Sequence, residues 1–350
     1  MIDIHGVFLD QFCQVLRRLP GQAEKEKQKA NVKVARELIC DNQGRLANYY
    51  FLSNQKLNAL STQVLKVNSI RKKTRNAVFS GNQELLQELK SLKQLHQDLE
   101  DYLIGAFDSI AKDNFRRLQD LYRYRVPSNK LPRVCVKVTQ DGQTITLVRE
   151  KDAPYFESAP APVRSNTAFE WIRLTGRYFI CNNIPREIKR DNYINPRINP
   201  VDVKSKYIFP SLAERFQYWR SGKKDNSWID CWSRVEFPAS KKLEKPTPDS
   251  CYKSTLVIPM TFLTNNGTLS EEFLHRFKMR YFRRKISLGF LCLDHVNINF
   301  FNSEDDVHFG YMLADILSLY LLQRLLCTDY SEDVFCESQR LLGDYTENDG

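Results

Sequence analysis

No proline interrupts the chain between Pro20 and Pro127, and that gap limits what the first third can fold into. Proline breaks helices. A polar stretch rich in Gln, Lys, Asn and Glu, free of proline and carrying apolar residues three and four apart, therefore reads as helix. The clearest part is 82–124, where Leu85, Leu89, Leu92, Leu99, Leu103 and Ile110 follow steps of four and three, with His96 and Ala106 at the intervening positions. That spacing predicts the seam of a coiled coil or a long helical hairpin. Ser80-Gly81-Asn82 is the expected turn between two long antiparallel helices. Residues 1–126 are accordingly read as a helical, coiled-coil-forming region.

The pattern changes at "RVPSNKLPRV". Pro127 and Pro132 end the helix, and Val134, Val136 and Val138 then alternate with Cys135, Lys137 and Thr139. Asp141-Gly142 reads as a hairpin turn, and Thr144 to Val148 as the returning strand. In "SNTAFEWIRLTGRYFICNNIP", Asn166 or Ser165 is placed to cap a short helix and Thr175-Gly176 to close it, ahead of a strand at Tyr178–Cys181. An insertion at about 185–250 has no regular periodicity. "SCYKSTLVIPMTFL" predicts the fourth strand. Thr268 with Glu271 has capping-box spacing before a helix "SEEFLHRFKMRYFRRK". Ile286 to Leu293 predicts a fifth strand, and Ser303 with Asp306 a second capping box before the closing helix. The tail from 328 to 350 is acidic and polar and is expected to be partly disordered. In outline this is an α+β arrangement, an antiparallel sheet with helices on one face, spanning 127–327.

Composition bounds the function. The 350 residues carry a net charge of +10, yet from residue 301 onward there are eleven acids against two arginines, so the positive charge lies in the body. Nine cysteines, an odd number with no CxxC pair, argue against a disulfide framework or a zinc site and for a reducing, cytoplasmic setting. The opening residues have amphipathic rather than secretory character. The run from Gly310 to Leu326 is the nearest to a membrane span, but Asp315 sits in its middle and it falls short of about 20 apolar residues; it reads as a buried helix. No Gly-rich phosphate loop, HExxH or GxSxG occurs, so an enzyme is not expected.

Three stretches resemble the GAF domain family, small-molecule sensor modules related to PAS domains. "AFEWIRLTGRYFICNNIP" is similar to that family's helix, Thr-Gly turn and strand ahead of the binding loop. "YKSTLVIPMTF" is similar to its strand ending in proline and a large apolar residue. "LGFLCLDHVNINFFNSEDDVHFGYMLADILSLYLL" resembles its Gly-led strand, Phe-x-x-x-Asp loop and last helix. Where cyclic-nucleotide-binding members carry an Asn-Lys pair, this chain has Asp294-His295, and Asp305-Asp306 follows Phe301. The bilin-attachment cysteine is not recognisable.

The resemblance implies a ligand site between the sheet and the insertion. Its candidate residues are Trp171, Phe179, Cys181, Arg186, Tyr193, Trp228, Trp232, Lys253, Thr255 and Asp294. Aromatic walls with a few polar groups suit a small planar ligand, and Arg186 or Arg190 could pair with its phosphate or carboxylate. No cofactor or metal is expected. The implied function is a non-catalytic sensory or regulatory protein, dimeric through the N-terminal helices and the 307–326 helix, that acts on a protein partner. The alternatives are a thiol-dependent reductase of the GAF-type methionine sulfoxide reductase kind, using Cys181, Cys231 and Cys251, and a ligand-free structural adaptor. His295 beside Asp294 is the one His–acid pair near the expected site. Arg276, Lys278, Arg280, Arg283, Arg284 and Lys285 are candidate nucleic-acid contacts, although helical spacing of Phe273, Phe277 and Tyr281 makes them a solvated stripe opposite a buried face.

Overall fold

The structure is a computed structural model and describes residues 22–74, 82–123, 131–140, 142–150, 161–205, 227–233, 235–236, 243–244, 251–263, 281–282 and 285–346. Its contacts divide the chain into two units, one of residues 1–35 with 112–315 and one of residues 36–111 with 316–350. Two long helices, α1 (Gln22–Thr74) and α2 (Asn82–Tyr122), come first. The sheet strands then begin with β1 (Arg133–Gln140), β2 (Gln143–Arg149) and β3 (Ala161–Pro162). Helix α3 (Thr167–Thr175) and strand β4 (Phe179–Cys181) follow. The insertion holds short helices α4 (Ile184–Lys189), α5 (Pro200–Ser205) and α6 (Ser227–Asp230), and a small hairpin of β5 (Val235–Glu236) and β6 (Leu243–Glu244). Strands β7 (Ser254–Leu263), β8 (Tyr281–Phe282) and β9 (Lys285–His295) precede the closing helix α7 (Asp305–Thr346).

In the first unit the sheet runs β3-β2-β1-β9-β7-β4, with β8 also on β9, and its pairs are antiparallel. This is an α+β arrangement around an antiparallel sheet, as expected, with α7 against one face and α3 against the other. Alternation sets its two faces. Val134, Val136, Leu256, Ile258, Leu291 and Leu293 are buried on one, where Gly310 of α7 comes so close that an added Cβ would lie 2.8 Å from Ile258 Cγ1. The opposite face carries Cys135, Phe290, Cys292 and Val257, which pack with Ala168, Phe169 and Ile172 of α3. The turns follow local chemistry. Gly142 has φ +74°, which glycine tolerates without steric cost. Asn166 caps α3 by accepting from Ala168 N at 3.0 Å, and Gly176 closes it in the left-handed region.

In the second unit, segments of α1, α2 and α7 pack together. Val67 and Ile70 of α1 cluster with Leu85 and Leu89 of α2, and Lys66 pairs with Glu88. Tyr320 of α7 meets Tyr49 edge to face at 5.4 Å and donates its hydroxyl to Asn42 O at 3.0 Å. Gln323 Nε2 donates to Ser53 Oγ at 2.9 Å.

Three expectations are corrected. The α2 seam follows Leu85, Leu89, Leu92, His96, Leu99 and Leu103, as the spacing predicts, but then passes to Phe107 and Ala111 instead of Ala106 and Ile110. A helix of 3.6 residues per turn drifts from a strict seven-residue repeat, so the buried stripe moves by one position. Residues 328–346 continue α7 in a tail that was expected to be partly disordered. Cys327 and Ser331, one turn apart and both buried, prolong its inner stripe, and Tyr330 receives a hydrogen bond from Ser61 at 3.2 Å. Tyr281 and Phe282, expected in a helix, form β8 against Ile286 and Lys285, as suits aromatic residues beside a strand. The rest of that expected helix, and with it Arg276, Lys278, Arg280, Arg283 and Arg284, lies outside the described residues.

The length and composition of Asp305–Glu332 would also suit a membrane span, but most of that segment is buried inside the chain. Its apolar side chains serve both units. Val307, Phe309, Leu313 and Ala314 are buried in the first unit, and Leu317, Tyr320, Leu321 and Leu322 in the second.

Candidate functional site

Strand register assembles a group of charged side chains in the first unit. Direct partners across antiparallel strands share a face. Arg133 of β1 stands opposite Asp294 of β9, Cys135 opposite Cys292, and Lys137 opposite Phe290. Thr255 of β7 lies on the other side of Asp294, and Arg149 of β2 beside Cys135. Thr255 Oγ1 donates to Asp294 Oδ1 at 2.7 Å, and Arg133 Nη2 is 3.7 Å from Asp294 Oδ2. The Asp294 and Arg133 side chains keep less than a fifth of their surface exposed, 18% and 19%. Burial pushes the Asp294 carboxyl above its ordinary range, against the opposing pull of Arg133 and the Thr255 hydrogen bond.

Further cations close round this carboxylate. Lys137 Nζ and Arg149 Nη2 both donate to Thr146 Oγ1, at 3.0 and 3.2 Å. Arg197 from the insertion is held below its usual range by burial and by the like charges of Arg149 and Arg133. Three cations, Arg133, Lys137 and Arg149, thus act on this carboxylate, and Arg197 lies beside two of them. Tyr252 joins the group to the insertion. The Arg133 guanidinium lies 5.3 Å from its ring centre, and its hydroxyl accepts from Asn195 Nδ2 at 2.7 Å.

Beside this lies an apolar cluster made by the insertion and β4, in which Cys181, Ile184, Tyr193, Trp228, Cys231, Trp232 and Cys251 are buried together. Trp228 and Trp232 meet edge to face at 6.0 Å, and Trp228 Nε1 donates to Cys251 O at 3.1 Å. Trp232 in turn meets Tyr252 at 4.9 Å. Its own Nε1 is buried with no hydrogen-bond partner among the described residues, a state that costs about 1–3 kcal/mol.

The structure therefore gathers most of the candidate residues and separates three. Thr255 and Asp294 lie in the charged group. Cys181, Tyr193, Trp228 and Trp232 lie in the aromatic cluster, and Phe179 packs against it with its ring 6.1 Å from Tyr193. Trp171 is 48% exposed on α3, where Nε1 donates to Tyr178 O. Arg186 is exposed on α4, and Arg190 is 3.7 Å from Glu187. Lys253 acts through its backbone, donating to His295 O and accepting from Ile184 N. His295 and Asp294, adjacent on a strand, point to opposite faces. His295 is buried against Phe300 and its Nδ1 accepts from Asn297 N at 3.0 Å. The Phe301 loop is a brace, with Phe301 N donating to Asn182 Oδ1 and Asn182 Nδ2 to Phe301 O. Sequence reading missed Arg133, Lys137, Arg149, Arg197, Asn195 and Tyr252. The available signal was the alternation of Arg133, Cys135 and Lys137 with Val134 and Val136, which sets polar side chains on a face of a central strand.

No family model matches the chain, and no curated protein matches it. The solved structures that the chain matches include two at low similarity. One is a free methionine-R-sulfoxide reductase from Neisseria meningitidis in complex with its substrate, at 11% identity and a TM-score of 0.27, covering 66% of this chain and 91% of that one. The other is the chromophore-binding domain of a bacteriophytochrome from R. palustris, at 12% identity and a TM-score of 0.26, covering 67% of this chain and 60% of that one. Neither likeness assigns a role to any residue.

Proposed function

We propose that the protein is a non-catalytic regulatory protein whose GAF-like sheet binds a small anionic ligand at Arg133, Lys137, Arg149 and Arg197. The observation that carries this reading is the grouping of Arg133, Lys137 and Arg149 on one sheet face with the Asp294 carboxylate, with Arg197 of the insertion beside Arg133 and Arg149. Like charges held together and partly desolvated are unfavourable until an anion joins them. Tyr252 and Trp232 offer an aromatic edge for a planar ligand part, and the Trp232 indole N–H offers a donor.

The ligand signals through the long helices to a protein partner in the cytoplasm. Phe51, Leu65, Leu86 and Ile104, each at least half exposed, supply apolar surface for a homodimer through these helices. Light scattering at micromolar concentration tests this, with a dimer mass expected and a monomer mass contradicting it.

Mass spectrometry of small molecules released from the gently denatured protein tests the ligand reading. An anionic compound is expected from the wild type and is depleted in an Arg133→Ala, Arg149→Ala variant. A protein that releases none and binds none supports a ligand-free adaptor, a reading favoured by the close packing of Trp228 against Trp232. Thiol chemistry at the aromatic cluster has less support, because burial pushes the Cys181 thiol up to about 11 and keeps it protonated at neutral pH.

A further inference from the structure

Cys135 and Cys292 are direct partners on β1 and β9, on the face that carries Arg133, Lys137 and Asp294. Both are free thiols, and both are buried. Antiparallel partners hold their Cβ atoms about 4.5–5.5 Å apart, and a disulfide needs about 3.5–4.5 Å, so a slight local approach of the two strands suffices. The Cys292 thiol lies 4.0 Å from the carbonyl oxygen of Phe290. The neighbouring Cys292 thiol, Lys137 and Arg149 favour the Cys135 thiolate against its burial. Burial holds Cys292 in its protonated form. Phe169, Ile172, Phe290 and Val257 pack round the pair and shield it from bulky reagents.

We propose that Cys135 and Cys292 form a redox-responsive dithiol that closes to a cross-strand disulfide when a peroxide oxidises it. The Cys135 thiolate, its proton lost to solvent, attacks one peroxide oxygen. The O–O bond breaks, and the other oxygen leaves as hydroxide and takes up a proton to become water. Cys135 is then a sulfenic acid. The Cys292 sulfur attacks that sulfur, the S–S bond forms and the S–O bond breaks, and the hydroxyl leaves with the Cys292 proton as a second water. The two thiols together lose two electrons, and the peroxide is reduced to two waters. The disulfide would join the strands that carry Arg133 and Asp294, although its formation does not depend on any ligand.

The test uses the full chain with Cys40→Ser and Cys336→Ser, which removes the two exposed thiols among the described residues. The native protein is treated with hydrogen peroxide, denatured in an alkylating agent and mapped by mass spectrometry without reduction. The expected product is a Cys135–Cys292 linked peptide pair that a thiol reductant reverses. In Cys292→Ser, a sulfenic-acid probe is expected to label Cys135. Full alkylation of both cysteines after peroxide treatment, or pairing of either with a different cysteine, overturns the proposal. The alkylation measurement needs neither active-pair variant to fold, because it is read on a chain that keeps both residues. Anion binding is measured separately on the reduced protein, so failure of the ligand reading leaves this result standing.

Discussion

The two faces of the central sheet are built from the same strands, residue by alternate residue, and they do different work. On one face Val136, Leu256, Ile258, Leu291 and Leu293 are fully buried, with α7 close against Ile258. On the other, β1 and β9 present Arg133, Cys135, Lys137, Cys292 and Asp294. Burying the first face favours folding at about 25 cal/mol per Å² of apolar surface. Crowding three cations, Arg133, Lys137 and Arg149, on the second contributes little to stability or opposes it. A face that costs folding energy and carries polar groups is where binding chemistry is expected. Substitution on the two faces should therefore separate stability from ligand binding.

The largest effect is expected on the apolar face. Leu291→Ala should lower stability by about 2–5 kcal/mol, read as a fall in the urea midpoint at unchanged slope. A loss below about 1 kcal/mol would mean that this face is not the folding core. Next comes a close approach between β1 and β9. A Cβ at Gly289 would lie within 2.4 Å of the Lys137 carbonyl oxygen, a backbone atom that cannot swing aside, so Gly289→Ala should cost about 1–3 kcal/mol. On the charged face, Arg149→Ala should shift stability by less than about 1 kcal/mol while weakening anion binding. A stability loss as large as that at Leu291 would erase the distinction between the faces.

The smallest effect is a pH dependence. Burial raises the Asp294 carboxyl in the folded chain, so the native state holds this proton more tightly than the unfolded one. Its contribution to stability is present at low pH and is lost as pH rises through the raised value. Asp294→Asn should flatten that part of the stability–pH curve, as followed by chemical denaturation across acid pH. An unchanged slope would show that Asp294 is not perturbed.

Local chemistry made much of the fold legible in the sequence. Alternation at Val134–Val138, the glycine at 142, the Asn166 cap and the Gly176 stop each report on their own neighbourhood, and the structure has them where the residues placed them. The heptad seam was legible only until the 3.6-residue helix drifted from it at Phe107. The candidate site was half legible. Thr255 and Asp294 stood out, but Arg133 meets Asp294 only through a register between strands more than 150 residues apart, which no local pattern encodes. The tryptophans looked like ligand walls because composition does not distinguish an aromatic pocket from an aromatic core, and the structure packs them against each other.

Titration calorimetry of the reduced protein with nucleotides and small dicarboxylates, run in parallel on wild type, Arg133→Ala and Trp171→Ala, compares the charged group with an exposed residue outside it. Saturable binding of an anion that weakens about tenfold or more in Arg133→Ala, the scale of one lost charge-assisted hydrogen bond, and stays unchanged in Trp171→Ala is the predicted result. Binding that ignores Arg133, or no saturable binding by any anion, would contradict a ligand site on this face.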